Sequence, residues 1–427
     1  MEKAVRCIVR SSNVLPLLGV AALVAVSAAR AQPALSFDEA LRIAADRSQQ
    51  IVAEHAAATA AREMAVSAAE APDPMLTAGV TNVPVTGDEA FSLTRDFMTM
   101  HSIGLSRELT HGDKRHARSE RFVREAEAAE AASNLALADL QRGAALAWLE
   151  RSYQERARAV LLEQREQAAL QIDAADVAFR GGLGSEADVL AARLSVAKID
   201  DRIAENARDI EVATVDLARW IGADATRPLG QAPPTDMVSL HGGDLESALA
   251  HHPEIELMTK QEEVALAEAD LARAAKRSDW TVEVEYSQRG PDYSNMMSVN
   301  FSKPLQWRER NRQDRDVAAK LALASRARAE REEAVREHVA DATALLARWN
   351  ANHERLSRYS ATLVPLASER TLAATAAYRG GGSTLGEVLE ARVAEIDTRL
   401  DQLMLASETA ALWAELTFLV PAGVAHE

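Results

Sequence analysis

The chain has little cysteine and few aromatic residues, and both shortages limit what it can be. Its only cysteine in 427 residues is Cys7, so the rest of the chain has no disulfide, no thiolate metal ligand and no cysteine nucleophile. Aromatic residues make up 4% of the sequence. Such a composition, rich in Ala, Leu, Glu and Arg, favours long helices over one thick globular core.

Other absences narrow the class of function. The net charge of −16 argues against nucleic-acid binding, which needs clustered positive charge. There is no nucleophile–base arrangement, phosphate-binding loop or HExxH motif, so the sequence predicts neither an enzyme nor a cofactor. Beyond residue 31, no apolar run approaches the roughly 20 residues of a transmembrane helix. A membrane-spanning region would therefore have to be a closed β-barrel.

The first 31 residues indicate a secretory signal peptide that is removed. An apolar stretch at 14–28 precedes Ala29-Arg30-Ala31, which fits a cleavage site before Gln32. The positive region before the apolar stretch consists of Lys3, Arg6 and Arg10. The alternative is a single membrane anchor, for which the apolar stretch is short.

The remaining chain repeats itself. Phe179-Arg180-Gly181-Gly182 is followed by Asp188-Val189-Leu190, and Tyr378-Arg379-Gly380-Gly381 is followed by Glu387-Val388-Leu389. The offset between the copies is constant (378 − 179 = 199). A repeat of that length indicates a duplicated structural half.

The sequence of each half predicts the same order of elements, namely a helix, a β-hairpin, a long helix, a glycine turn and a returning helix. The first helix of each half is expected at 37–71 and from 245 to about 277. Between 113 and 178 there is no proline and one glycine, which predicts a helix of roughly 100 Å. The second long helix, from about 308 to 377, contains Pro365, which should kink or loosen it. Ser185, and either Ser383 or Thr384, are candidate caps of the returning helices.

Strict alternation of apolar and polar residues indicates the strands. Trp280, Val282, Val284 and Tyr286 alternate with polar residues, which predicts a strand with one apolar face. Its hairpin partner is expected at 297–301, and the first half shows a weaker version at 76–81 and 102–106. In a membrane-crossing sheet the four apolar side chains would face lipid.

The predicted organisation is a signal peptide at 1–31, a first repeat at 32–227, a linker at 228–243, a second repeat at 244–421 and a tail at 422–427. The hairpins are expected at about 72–110 and 279–304, and the turns at 180–184 and 379–383. The predicted fold class is mainly α with a small β part. Four strands cannot close a barrel, so three copies sharing one twelve-stranded transmembrane barrel are the simplest solution.

On these duplicated hairpins, turns and helix starts, the chain resembles the TolC family of outer membrane efflux proteins over about 33–421. The segment Pro304-Leu305-Gln306-Trp307-Arg308-Glu309-Arg310-Asn311 resembles the branch paired with heavy-metal exporters of the cobalt–zinc–cadmium type. The resemblance implies a homotrimer in the Gram-negative outer membrane, embedded in outer-membrane lipid. The long antiparallel helical hairpins would form a coiled-coil α-barrel in the periplasm, where most of the mass lies. Implied partners are a periplasmic adaptor (membrane fusion) protein and an inner-membrane pump of the resistance-nodulation-division type.

The resemblance also implies two functional regions at the glycine turns. The turns would dock on the adaptor, the alternative being connectors without a partner. A periplasmic constriction would use Glu387 and Glu390 as an acidic ring and a gate bond between Tyr378 and Asp188. Ser383 stands where the family has an arginine, and the alternative for the two glutamates is a solvated helix face. The docking candidates are Arg180, Gly181, Gly182, Ser185, Arg379, Gly380, Gly381 and Ser383.

Several histidines and methionines raise the question of a metal site. Their spacing fits no compact ligand motif, so none is predicted. The residues concerned are His101, His111, His116, Met98, Met100, Met296 and Met297.

The predicted function is a passive exit duct of a tripartite efflux system, with heavy-metal cations as cargo. A drug-efflux duct or a type I secretion duct of the same family is the first alternative. A periplasmic adaptor or a coiled-coil scaffold is the alternative from another class. An adaptor would need a compact β-rich domain flanking one helical pair, whereas this chain has two pairs, and the period-two segments argue against a scaffold.

Overall fold

The computed structural model describes residues 33–238, 249, 252–290 and 292–419. The predicted signal peptide, the end of the linker with the first residues of the second repeat, and the C-terminal tail lie outside the described residues. Asp244, where the second repeat's first helix is expected to begin, is among them.

The two halves contain the same succession of elements. In the first half these are α1 (Phe37–Arg47), α2 (Gln49–Ala69), β1 (Met75–Thr81), β2 (Met100–Leu109), α3 (Gly112–Arg180) and α4 (Glu186–Ile221). In the second half they are α5 (Pro253–Ala274), β3 (Trp280–Gln288), β4 (Met296–Ser302), α6 (Gln313–Arg358), α7 (Val364–Arg379) and α8 (Leu385–Thr417). Short 3₁₀ turns lie at Gly222–Thr226 and Glu309–Asn311. The predicted fold class, mainly α with a small four-stranded part, is confirmed.

The sequence predicted one continuous first helix over 37–71, but the structure has two helices there, α1 and α2. Ser48 has an extended backbone, and its hydroxyl accepts a hydrogen bond from the N–H of Ile51 at 3.3 Å. An N-capping serine therefore ends α1 and begins α2. In the second half, the helix that the structure describes starts at Pro253 behind the capping residue His252. Proline is favoured at that first position because its missing N–H has no helical partner there.

The long helix α3 has 69 residues and extends roughly 100 Å. Lys260 of α5 pairs with Glu127 of α3 at 3.0 Å, so α5 lies along the first part of α3. Arg165 of α3 pairs with Asp200 of α4 at 2.5 Å, so the returning helix lies along the last part. The same long helix therefore contacts a short helix at one end and a returning helix at the other.

The long helix of the second half is interrupted just before Pro365. Residues Tyr359–Leu363 form a π-helical turn, and the N–H of Val364 bonds to the carbonyl of Tyr359. Proline cannot donate the next helical hydrogen bond, and the helix widens by one residue there. The loosening predicted at Pro365 is confirmed.

The main core lies where α1, the middle of α3 and the ends of α4 and α8 meet. Trp148 is fully buried there, and Phe37 packs edge-on against it with ring centroids 5.5 Å apart. Gly143, the interior glycine of α3, lies under the ring of Trp220, where any Cβ would overlap the indole. The glycine is thus explained by the close approach of a side chain from α4.

The four strands form one antiparallel sheet in the order β1-β2-β3-β4. The pairing of β2 with β3, from His101 with Gln288 to Leu109 with Trp280, joins the two halves of the chain. The register places Leu76, Leu105, Val284 and Val299 in one row across the sheet. The next row contains Thr77, Gly104, Glu285 and Ser298, so one face of the sheet is mainly polar. The other face is mainly apolar, although Arg107 lies on it opposite Val282.

Across the described ranges, each helix is either too short or too polar to cross a lipid bilayer.

Candidate functional site

The two glycine turns have the same backbone geometry. Gly182 and Gly381 have φ of +69° and +73°, a left-handed conformation that favours glycine. The N–H of Leu183 bonds to the carbonyl of Ala178, and that of Gly382 bonds to Ala377, each at 2.9 Å. Both long helices therefore end in the same helix-terminating motif.

Each returning helix begins with a capping box. Ser185 Oγ accepts from the N–H of Asp188 at 3.2 Å, and Asp188 accepts from the N–H of Ser185 at 2.9 Å. Thr384 and Glu387 repeat this exchange, with both distances 3.3 Å. Thr384 is thus the cap of α8, and the hydroxyl of Ser383 donates instead to the Glu387 carboxylate. These caps fix the direction in which each hairpin turns back.

The apolar surface at the tips comes mainly from the first turn. Leu183 is 90% exposed, and Val177 and Phe179 beside it are also exposed. Gly382 occupies the position equivalent to Leu183 in the second turn. Sequence reasoning missed Leu183 because a single leucine between glycines has no periodic pattern.

The other predicted docking residues lie around the same turns. Gly181 and Gly380 are the C-cap residues of α3 and α7. Arg180 pairs with Asp176 one turn earlier, whereas no described acidic side chain pairs with Arg379. Both arginines are exposed at the end of the molecule, as docking on a partner requires.

The residues of the predicted constriction lie near one another without the predicted gate bond. Within the described chain Asp188 is held by Ser185 and makes no hydrogen bond with Tyr378. Tyr378 packs instead against a cluster that unites the two hairpins, formed by Ala175, Val189, Ala192, Leu385 and Leu389. The gate bond stays a prediction.

The two predicted ring glutamates have different surroundings. Glu387 is the capping acid of α8, a role that the sequence analysis did not predict. Glu390 pairs with Arg370 of α7 at 3.0 Å, and both side chains are exposed. A ring built from them would rest chiefly on Glu390, and it stays a prediction.

We expect the tips to loosen in acid. Hydrogen bonds from the backbone and hydroxyl of Ser185 lower the pKa of Asp188 from 3.8, and those from Ser383 and Thr384 lower the pKa of Glu387 from 4.5. Because these pKa values are lowered in the folded state, the caps stabilise the tips at pH values above the ordinary carboxyl pKa. This stabilisation is lost as the pH falls through the folded-state pKa values. Hydrogen exchange at 176–192 and 375–391, referenced to intrinsic rates, should show protection decreasing below about pH 4. Ser185→Ala and Thr384→Ala should loosen the same amides at neutral pH, and protection unchanged by acid would contradict the prediction.

The sheet is inverted relative to a soluble one, because in its two central strands the apolar face is more exposed than the polar face, while β1 and β4 are exposed on both faces. Trp280, Val284 and Tyr286 are 43%, 43% and 46% exposed, and Val282 is half-buried. On the polar face Ser287 is 4% exposed, and Glu283 and Glu285 are half-buried. A large contiguous exposed apolar surface marks contact with a partner or with lipid.

Within the ranges that the structure describes, the histidines considered from sequence belong to no group with metal-ligand geometry. His101 bonds to the carbonyl of Leu93 at 3.0 Å, and the N–H of His111 donates to Asp279 at 3.1 Å. Among the described residues, the group with metal-ligand geometry is His252, Glu254 and His338. Burial, reinforced by the charge of His338, lowers the pKa of His252 to about 4, so this imidazole is neutral at pH 7.

Solved structures of outer-membrane channel proteins share this fold of duplicated helical hairpins joined to a small antiparallel sheet. The structure is similar to the outer-membrane channel OprN (TM-score 0.75, 17% identity, 90% of each chain) and to CusC, described for its transmembrane channel formation (TM-score 0.75, 16% identity, 90% of this chain and 92% of that one). It is also similar to the outer membrane protein VceC from Vibrio cholerae (TM-score 0.71, 18% identity, 90% and 95%). At these identities the likeness is one of fold. No protein-family model and no curated protein matches the sequence.

Proposed function

We propose that this protein is the outer-membrane exit duct of a tripartite efflux system and conducts its cargo passively. The observation that carries the proposal is the inverted sheet. Its apolar face offers the row Leu76, Leu105, Val284 and Val299 to lipid, and its polar face offers a path for solutes. The fold shared with outer-membrane channels supports this assignment.

The proposal includes a homotrimer. A sheet of four strands leaves β1 and β4 as open edges, which lipid does not tolerate. Three copies would pair these edges and close twelve strands, with α3 and its partners extending roughly 100 Å into the periplasm. The glycine turns would then lie at the far end, where they would meet a periplasmic adaptor linked to an inner-membrane pump.

Membrane fractionation and conductance test the duct. We expect the mature protein in the outer-membrane fraction, a trimer in detergent, and stepwise conductance after reconstitution into a planar bilayer. A soluble periplasmic product without conductance would favour the adaptor or scaffold and would overturn the duct.

We further propose metal cations as the cargo. The polar face of the described sheet has three acidic residues, Glu108, Glu283 and Glu285, and no lysine or arginine. Acidic groups along a narrow path raise the local concentration of cations. Deleting the gene should reduce growth on zinc, cobalt, cadmium, nickel, copper or silver. Unchanged tolerance to metals, with sensitivity to drugs or detergents, would assign the duct to drug efflux, and loss of a secreted protein would assign it to type I secretion.

Leu183→Asp should uncouple the duct from its adaptor. Leu183 is 90% exposed, and an aspartate there would replace an apolar contact with an unpaired charge in the docked complex. We expect tolerance to fall to that of the deletion strain, while the trimer and its conductance are retained. Leu170→Asp, at an exposed position of α3 remote from the turn, is the matched control and should leave tolerance unchanged. Equal tolerance in both variants would show that the first turn does not dock.

A further inference from the structure

His252, Glu254 and His338 form a compact group on two neighbouring helices, far along the chain from the glycine turns. One ring nitrogen of each histidine and one carboxylate oxygen of Glu254 lie within 4.8 Å of one another. His338 Nε2 lies 3.0 Å from Glu254 Oε2, and the two imidazole rings have centroids 4.4 Å apart. The group joins the first turn of α5 to α6.

Local structure holds His252 and Glu254 in place. His252 is the N-cap of α5, where its Nδ1 accepts from the N–H of Glu254 at 3.2 Å, so Nδ1 is the unprotonated nitrogen and would exchange this hydrogen bond for the ion on binding. Pro253 between them fixes the start of the helix and keeps the histidine and the glutamate in the same turn. His252 is 6% exposed, so its ring has little freedom to move away.

The antiparallel register of α5 and α6 places His338 opposite this turn. Arg331 pairs with Glu262 at 2.9 Å, and Lys320 pairs with Glu268 at 2.7 Å, both across the two helices. Continuing that register by two helical turns from Arg331 brings His338 to Glu254. The group is therefore a consequence of helix packing and does not depend on a loop.

The donor set is that of a first-row transition metal. Two imidazoles and one carboxylate are the protein ligands of many zinc sites in which a fourth position is open to water. Bonds of about 2.0–2.1 Å in a tetrahedral site put neighbouring donors about 3.3 Å apart. The observed separations, from 3.0 Å up to 4.8 Å, would reach that arrangement by small side-chain rotations.

Burial is graded across the group. His252 lies inside, whereas the side chains of His338 and Glu254 are 22% and 42% exposed. One side of the group is thus open to an incoming ion and to its water ligand. Arg142, the cation whose charge acts on His252, is itself paired with Asp139 at 2.8 Å, so its repulsion of a bound ion is reduced.

We propose that His252, Glu254 and His338 bind one divalent transition-metal ion of the zinc class per chain. The ion would connect the start of α5 to α6 and strengthen the contact between the short and long helices of the second half. This proposal is independent of the duct's cargo, since a bound ion here would be a resident of the helical region.

The test is zinc binding by the purified, chelator-treated, full-length mature protein in detergent. Calorimetry and competition with a chromophoric chelator should give one ion per chain. His338→Gln and His252→Asn remove one imidazole each, and asparagine retains the N-cap. Loss of a residue that only supports a metal ligand typically weakens metal affinity roughly 10- to 100-fold. Each of these substitutions removes a ligand itself, so each should weaken zinc binding by more than that.

The control is His353→Gln, which lies on the same helix α6, where its ring stacks on Trp349 outside the group. Zinc affinity should be unchanged in this variant. Equal affinity in the wild type, His338→Gln and His252→Asn would overturn the proposal.

Cobalt(II) provides a readout that needs no substitution. In the unsubstituted protein we expect the intense visible bands of four-coordinate cobalt, and these should disappear when zinc is added. A spectrum that shows only the weak bands of hydrated cobalt would overturn the proposal. This result would hold even if a variant failed to fold, because the measurement uses the unsubstituted protein.

Discussion

Replacing Val284 with arginine should prevent the protein from accumulating in the outer membrane. Val284 lies in the middle of the apolar row Leu76–Leu105–Val284–Val299, and it is 43% exposed. An arginine on a lipid-facing strand near the bilayer centre costs about 2–4 kcal/mol. A trimer would bear this cost three times, which is large beside the net stability of a folded protein. The measurements are the amount of protein in the outer-membrane fraction and the yield of trimer.

The neighbouring residue provides the matched control. Glu285 follows Val284 on β3, but its side chain lies on the polar face, in the row of Thr77, Gly104 and Ser298. Glu285→Arg introduces the same side chain one residue away, so it should leave membrane insertion intact. It should instead shift the reversal potential of the channel away from cations. Loss of insertion in both variants, or in neither, would show that the faces of the sheet have been assigned wrongly.

The sequence predicted most of the elements because their signals are local. Alternation at Trp280, Val282, Val284 and Tyr286 indicated a strand, and the absence of proline and glycine over 113–178 indicated the long helix. The pairing of β2 with β3 was not predicted, since residues that lie 171 (280 − 109) to 187 (288 − 101) positions apart leave no periodic signal of their contact. That pairing is what turns two hairpins into one sheet.

The glycine turns show a signal that was present and not used. Ser185 with Asp188, and Thr384 with Glu387, have the spacing of a capping box. Recognition of that spacing would have predicted Glu387 chiefly as the capping acid of α8 and not chiefly as part of an acidic ring. Ser48 similarly divides the first helix, although the apolar pattern continues across it.

The metal-ligand group shows the opposite case. His252 and Glu254 are two residues apart and therefore visible in the sequence, but His338 follows more than 80 residues later. Their proximity depends on the register of α5 against α6, which is fixed by ion pairs such as Arg331–Glu262. Only a structure brings such residues together.

The junction between the sheet and the helices depends on a buried ion pair that joins the two halves. Lys114, in the first turn of α3, pairs with Asp279, which immediately precedes β3, and their side chains are 10% and 11% exposed. Asp279 also accepts the N–H of His111 at 3.1 Å. A second, exposed pair, Arg277 with Asp113, crosses the same junction at 2.7 Å.

Asp279→Ala should destabilise this junction by about 3 kcal/mol, because it leaves the ammonium of Lys114 buried without a partner. Replacing both residues, as Lys114→Met with Asp279→Leu, should recover much of the loss, since no unpaired charge then remains. Denaturant unfolding of the purified protein measures both effects. Asp270→Ala is the control, because it removes an exposed partner of Arg273 nine residues earlier and should cost less than about 1 kcal/mol. If Asp279→Ala cost no more than Asp270→Ala, the two halves would be joined by strand pairing alone, and the ion pair would be a passive feature of the junction.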